Sequence, residues 1–279
     1  MNSRIKKIIK RLSPPVLLDF YLQFIHRYGF MGAYKNWDEA KNISSGYDSD
    51  IILNKTKEAL LKVKNGEAVY ERDSVLFDKI QYFWPLLASL LYIASVNGNC
   101  LNLLDFGGSL GSSYYQNRNF LNSLDRLSWN IVEQKAVAEY GRQNFIDEHL
   151  KFYSTLDECF AENSPVVAVL SGSLQYMSDP YKILDELFKK KIVFILIDRL
   201  VINHNKDFIT VQNVSPNIYK ASYPLWIFKE KNILDYFSKN RYELIADFDA
   251  LDGRDFVVKK TSLRGGYRGY LFKLKDYAI

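Results

Sequence analysis

The chain has 279 residues, 48% of them hydrophobic and 15% aromatic, enough apolar material for a sizeable core, which excludes a disordered chain. A formal net charge of +5, spread without an aromatic-basic stacking pattern, gives no reason to expect a nucleic-acid partner. Its two cysteines, Cys100 and Cys159, lack disulfide or metal-ligand spacing, which fits free thiols in a reducing cytoplasm and no metal centre.

In chain order, residues 3–12 set Ile5, Ile8, Ile9 and Leu12 on one helical face, with Lys6, Lys7, Lys10 and Arg11 across or beside it. This is a short basic amphipathic helix, suited either to packing on the main domain or to peripheral contact with an anionic membrane surface. Pro14-Pro15 ends it. The apolar stretch 16–25 is interrupted by Asp19 and Gln23 and carries no small-residue cleavage site, so no secretory leader is expected. Residues 28–47, rich in Gly, Tyr, Asn and Trp, read as an ordered loop or cap. Ile52, Thr56, Leu60 and Val63 predict a helix over 51–64, stopped by Asn65-Gly66. Asp73 is a good N-cap for a second helical stretch reaching Val96, in which Pro85 predicts a kink or a break. Its apolar run is about 12 residues, short of the ~20 that span a bilayer. Residues 1–72 therefore read as an N-terminal helical extension or cap, and 73–279 as the main domain.

The main domain is organised around the stretch Leu101 to Gly111. Leu101, Leu103 and Leu104 form a buried strand, Asp105 stands at its carboxyl end, and Gly107, Gly108 and Gly111 allow a tight turn with close backbone approach to a ligand. Ser112-Ser113 opens a helix. Beyond it strands at 128–133, 151–154, 165–171 and 192–198 alternate with helices at 135–146, 156–162 and 180–190, the pattern of a mostly parallel α/β sheet. Ligands bind outside the carboxyl ends of such strands, so Asp105, Glu133, Ser171 and Asp198 should line one edge. Residues 199–229 form a long insertion, either a lid or acceptor loop or a core-packing hairpin. A helix over 231–238, a strand over 242–248, a turn at Gly265-Gly266 and a last strand from Gly269 to Leu274 complete the chain.

Glu133 follows Gly111 by about 22 residues, the offset of an acid that accepts hydrogen bonds from ribose hydroxyls. Two cofactor classes use such a strand, loop and acid. Nicotinamide enzymes seat a pyrophosphate on the loop, and an acid beside it, as in Asp105-Phe106-Gly107-Gly108-Ser109-Leu110-Gly111, would be repulsive. A cofactor with an ammonium and a sulfonium tolerates that acid, which favours S-adenosylmethionine over NAD.

Asp105 to Gly111 resembles the first motif of class I methyltransferases, with Ser109 where that motif usually has a further glycine. Together with Asn36 to Ala40, Gly46-Tyr47-Asp48, Glu67 to Asp73, Leu174-Gln175-Tyr176, Ile197-Asp198-Arg199 and Ala221 to Pro224, it is similar to a family of bacterial methyltransferases whose members often accompany surface-polysaccharide biosynthesis genes. The resemblance covers most of the chain beyond about residue 28. It implies a Rossmann-like sheet of seven strands with the last antiparallel, S-adenosyl-L-methionine as cofactor, and a sugar or glycan-precursor hydroxyl as acceptor. It also implies that the loop after the fourth strand meets the cofactor's methionine end, with Ser171 and Ser173 as donors and Gln175 and Tyr176 facing the acceptor, Tyr176 as a catalytic residue with Asp198. Arg72, Arg199, Gln212 and Tyr223 become sugar or carboxylate contacts. An alcohol acceptor must lose a proton, which makes Asp198 and His204 the candidate bases. The alternatives are an NAD-dependent sugar oxidoreductase and a non-catalytic binding subunit of the same fold.

Overall fold

A computed structural model describes residues 28–45, 49–72, 74–215, 221–250, 255–275 and 277. The basic helix expected over 3–12 lies outside them. The first strand, β1 (Gly29–Tyr34), and helix α1 (Trp37–Asn42) occupy the segment read as a loop or cap. Asn36 starts α1 by accepting the Glu39 amide hydrogen on its side chain, an N-cap the local spelling supports. Helix α2 (Ser49–Lys64) forms as expected.

The stretch from 73 to 96 differs from the helical expectation. Tyr70–Arg72 (β2) and Val75–Phe77 (β3) pair as an antiparallel hairpin, and the helix, α3 (Trp84–Val96), begins only at Trp84. Pro85 therefore sits in the first turn, where its missing N–H would be unpaired anyway, and it starts the helix instead of kinking it.

Next come β4 (Cys100–Phe106), α4 (Ser112–Leu121), β5 (Arg126–Val132), α5 (Lys135–Asn144), β6 (Leu150–Tyr153), α6 (Leu156–Glu162), β7 (Val167–Ser171), a 3₁₀ turn (Leu174–Tyr176), α7 (Pro180–Lys189) and β8 (Phe194–Asn203). They are followed by β9 (Phe208–Asn213), β10 (Ser222–Lys229), α8 (Glu230–Lys239), β11 (Tyr242–Asp249), β12 (Phe256–Val257) and β13 (Arg264–Leu274). In the main sheet the strands lie in the order β6-β5-β4-β7-β8, all parallel. Strand β13 then pairs antiparallel with β8 on one side and β11 on the other. The chain leaves β4 in one direction for β5 and β6 and returns on the other side for β7 and β8, so the switch point falls between β4 and β7. Two apolar layers cover the sheet, one around Trp129, Phe145 and Leu196 and the other around Ile197, Phe237 and Phe272.

Strand β8 outruns β7, and near the end of their pairing it is interrupted. Ile197 pairs with Tyr270 and Leu200 with Arg268, so Asp198 and Arg199 together face Gly269, a β-bulge with Arg199 in the left-handed region at φ +55. Beyond the bulge β8 takes β10 as a parallel partner at Ile202 and Asn203. Strands β10, β9 and β1 continue antiparallel. Lys259, just past β12, bonds back to β1, donating to Phe30 O at 2.9 Å and accepting from Gly32 N at 2.9 Å. With β12 on β13 and β13 on β8, the strands close into a ring around Phe30, Val201, Phe208, Leu225, Ile227 and Val258. Gly265 and Gly266 stand inside β13 and do not form the expected turn. A Cβ on Gly265 would lie 2.7 Å from the Ile202 carbonyl oxygen, so only glycine admits that approach.

Candidate functional site

The loop after β4 is compressed from two sides. Beneath it the Asp105 carboxyl is 1% exposed, and a Cβ on Gly108 would come 2.4 Å from its Oδ2. Across the switch point a Cβ on Gly107 would come 2.7 Å from Ser173 Cβ. Gly107 (φ +74), Ser109 (φ +54) and Gly111 (φ +100) all use left-handed backbone, a conformation that costs the non-glycine Ser109 about 1–2 kcal/mol. The buried Trp129 donates its indole N–H to Asp105 Oδ2 at 3.0 Å. Burial pushes the Asp105 carboxyl up to about 7; Trp129 and Arg199 pull it down and Glu133 pushes it up.

Glu133 directly follows β5. It accepts from the Ser109 amide at 3.2 Å and the Gln134 amide at 2.7 Å, and burial holds its carboxyl above the usual range. A carboxylate offers about four lone-pair positions, so two remain for other donors.

The opposite wall is built from the ends of β7 and β8. Ser171 donates its hydroxyl to Asp198 Oδ2 at 2.9 Å, and Arg199 Nε stands 3.7 Å from the same oxygen. The Arg199 guanidinium also reaches Ser171 O and Oγ, each at 3.4 Å. Gln175 donates to Arg199 O at 3.1 Å. The bulge turns Arg199 toward β7; in a regular ladder its side chain would be placed otherwise. Ser173 is 6% exposed, and its Oγ has no hydrogen-bond partner among the described residues. Buried hydroxyls are normally paired, so this one points to a missing donor or acceptor.

One helical step on, Tyr176 donates its hydroxyl to Gln212 Oε1 at 2.8 Å and meets Tyr223 edge to face at 5.3 Å. Gln212 and Tyr223 are directly paired between β9 and β10. The structure thus joins Gly107 with Ser173, Ser171 with Asp198, Arg199 and Gln175, and Tyr176 with Gln212 and Tyr223. Arg72 stands instead on the β2–β3 hairpin, its guanidinium 5.7 Å from the Phe77 ring centre. His204 lies past the end of β8, beyond the bulge, exposed and 3.3 Å from Glu230, with no contact to the groups around Asp198 among those described.

Two participants escaped sequence reasoning. Trp129 was visible only as a polar-tipped ring in an aliphatic strand. Glu71 on β2 is 2% exposed and accepts the Ser112 hydroxyl at 2.5 Å and the Ser74 amide at 2.6 Å; reading its neighbourhood as the approach to a helix concealed a carboxylate turned inward.

No family model and no curated protein matches the chain. Among solved structures, a S-adenosylmethionine-dependent methyltransferase from Clostridium acetobutylicum is similar at 13% identity over 79% of this chain and 98% of that one, with a TM-score of 0.44. The 1,6-didemethyltoxoflavin-N1-methyltransferase of Burkholderia thailandensis is 12% identical over 83% and 92% of the two chains, with a TM-score of 0.39. The N-terminal domain of EvdMO1, solved in the presence of S-adenosylhomocysteine and D-fucose, is 10% identical over 82% and 98%, with a TM-score of 0.47.

Proposed function

We propose that the chain is an S-adenosylmethionine-dependent methyltransferase acting on a small acceptor, a hydroxyl of a sugar or glycan precursor. The observation that carries this reading is the crevice between β4 and β7, where a glycine loop packed closely on Asp105 and Ser173 lies between the acids Asp105 and Glu133. The negative charge there, carried by Glu133 and by Asp105 where it is ionised, opposes a pyrophosphate and favours a ligand with sulfonium and ammonium charges. The strand order β6-β5-β4-β7-β8-β13-β11 with β13 reversed supports a seven-strand Rossmann-like sheet, and its switch point is where such sheets bind ligands. The orphaned Ser173 hydroxyl fits the same occupant. Glu133 holds the ribose hydroxyls, Gly107, Gly108 and Gly111 shape the loop on which the ligand lies, and Ser173 with Ser171 faces its methionine end.

The cofactor supplies an activated methyl group. The protein's own tasks are to align the acceptor, exclude water and take the hydroxyl proton. Tyr176, Gln212 and Tyr223 form the acceptor wall, with Arg199 and Gln175 at its base and Arg72, on the β2–β3 hairpin, as a further acceptor contact. Gln212 Oε1 is committed to Tyr176, which leaves its amide hydrogens for acceptor hydroxyls. Asp198, 4% exposed, takes the proton through Ser171: the acceptor proton passes to Ser171 Oγ as the Ser171 proton passes to Asp198 Oδ2. The motif resemblance to methyltransferases that accompany polysaccharide genes, read from the sequence, is the support for a glycan acceptor.

Titration calorimetry with S-adenosylmethionine, S-adenosylhomocysteine and NAD tests the cofactor. The first two are expected to bind and NAD is not. Glu133→Ala should weaken S-adenosylhomocysteine about ten- to hundredfold, the effect of losing a charge-assisted hydrogen bond of ~1.5–3 kcal/mol. Asp198→Asn should leave that affinity unchanged. Binding of NAD alone would overturn the reading.

A further inference from the structure

His204 and the pair Gly265-Gly266 take no part in the chemistry above, and the fold brings them to one place. A cavity of about 520 Å³ opens where β8 runs out past the bulge and the first residues of β13 lie beside it. Gly265 and Gly266 give it a floor without side chains, and Asp255 stands so close over the second that a Cβ on Gly266 would lie 3.2 Å from its Oδ1. The walls carry charges of both signs. Arg264 opens β13, Glu230 opens α8 and His204 follows β8, with Asp249 and Arg268 beside them. Part of this charge is already spent: Arg268 donates to Asp247 and Asp249, and Glu230 accepts the Tyr270 hydroxyl at 2.7 Å and stands 3.3 Å from His204. The side chains of Asp255 and Arg264 form no hydrogen bond or ion pair among the described residues.

The mixture of signs selects the occupant. An anion such as phosphate would meet three carboxylates, a cation would meet two guanidinium groups, and an apolar molecule would strip water from Asp255 and Arg264 and give them nothing in return. A polyhydroxyl ligand serves both signs, because each of its hydroxyls donates to a carboxylate or accepts from a guanidinium or imidazole, and such charge-assisted bonds are the strong ones. The volume falls within the ~300–1,000 Å³ of small-molecule sites. We propose that this cavity is a saccharide-binding site separate from the methyl-transfer crevice, in which Asp255 and Arg264 hold sugar hydroxyls over the glycine floor. None of the cofactor or acceptor residues named above lines it, so the site goes beyond the proposed function and stands without the cofactor reading.

The test is saturation-transfer NMR on the full chain with D-glucose, D-galactose, D-mannose and N-acetyl-D-glucosamine as probes, and with glycine and inorganic phosphate as charged controls. At least one sugar is expected to bind. Arg264→Ala and Asp255→Asn should each weaken it at least tenfold, the scale of a lost charge-assisted hydrogen bond. Both residues are exposed, so the variants should fold, as circular dichroism checks, and should keep the wild-type affinity for S-adenosylhomocysteine. Gln212→Ala, on the proposed acceptor wall, should leave the sugar within about threefold of wild type. Absence of binding by all four sugars overturns the proposal, as does binding of glycine or phosphate without a sugar. A sugar lost in Gln212→Ala and kept in Arg264→Ala sits at the acceptor wall and overturns it too. Wild type that takes a sugar at the cavity but no S-adenosylhomocysteine refutes the cofactor reading and supports this site.

Discussion

The carboxyl of Asp105 lies under the glycine loop with Trp129 on one oxygen, and its burial has a thermodynamic signature. Pushed up to about 7 from an ordinary 3.8, it keeps a proton in the folded state that the unfolded chain has released. Stability from this group is therefore fully present below about pH 4 and is lost as pH rises toward 7. Asp105→Asn removes the titration, so its stability relative to wild type should rise across that window by as much as ~4 kcal/mol. Denaturant unfolding of both proteins at half-unit pH steps measures the difference, and a constant offset from pH 4 to 7 would exclude the linkage. Glu133, also held high by burial, is present in both proteins, and its contribution largely cancels.

The bulge at Asp198 and Arg199 is the element on which the proposed acceptor side turns. It ends the pairing of β8 with β7, frees the strand for β10, and swings Arg199 across Ser171 and Gly172. The single residue opposite it is Gly269, where a Cβ would lie 1.9 Å from the Phe248 ring. Gly269→Ala should therefore destabilise the fold by ~1–3 kcal/mol, as overpacking does, and slow methyl transfer while the affinity for S-adenosylhomocysteine stays unchanged. Equal losses in both would show that the bulge is not specific to the acceptor. The elements legible in the sequence were those with local signals. The run into Gly107, the offset to Glu133 and the alternation from β5 to β8 depend on neighbours within about twenty residues. The β2–β3 hairpin gave no such signal, because Val75 and Leu76 are turned outward at 40% and 39% exposure and the strands are too short for a period to show. Neither Glu71 with Ser112 nor the bulge is encoded nearby; each depends on a partner elsewhere in the chain.

At the scale of the whole molecule, the ring of strands joins residues near the two ends of the described chain: Lys259 Nζ also donates to Tyr28 O, 231 positions away. The strands β4 to β7, by contrast, pair with partners close in sequence. Protein synthesis therefore delivers the two halves of the site at different times. The glycine loop, Asp105 and Glu133 emerge with their partners, whereas the wall bearing Tyr176, Gln212 and Tyr223 waits for β12 and β13 to leave the ribosome. Limited proteolysis of stalled nascent chains reads this order. Chains with residues only to 250 outside the exit tunnel should be cut within β9 and β10, and chains with residues to 275 outside should resist; equal resistance would mean that the wall forms without its closing strands. A cell that interrupts translation late would then hold a polypeptide whose glycine loop and acids are in place while the wall of Tyr176, Gln212 and Tyr223 is still unformed.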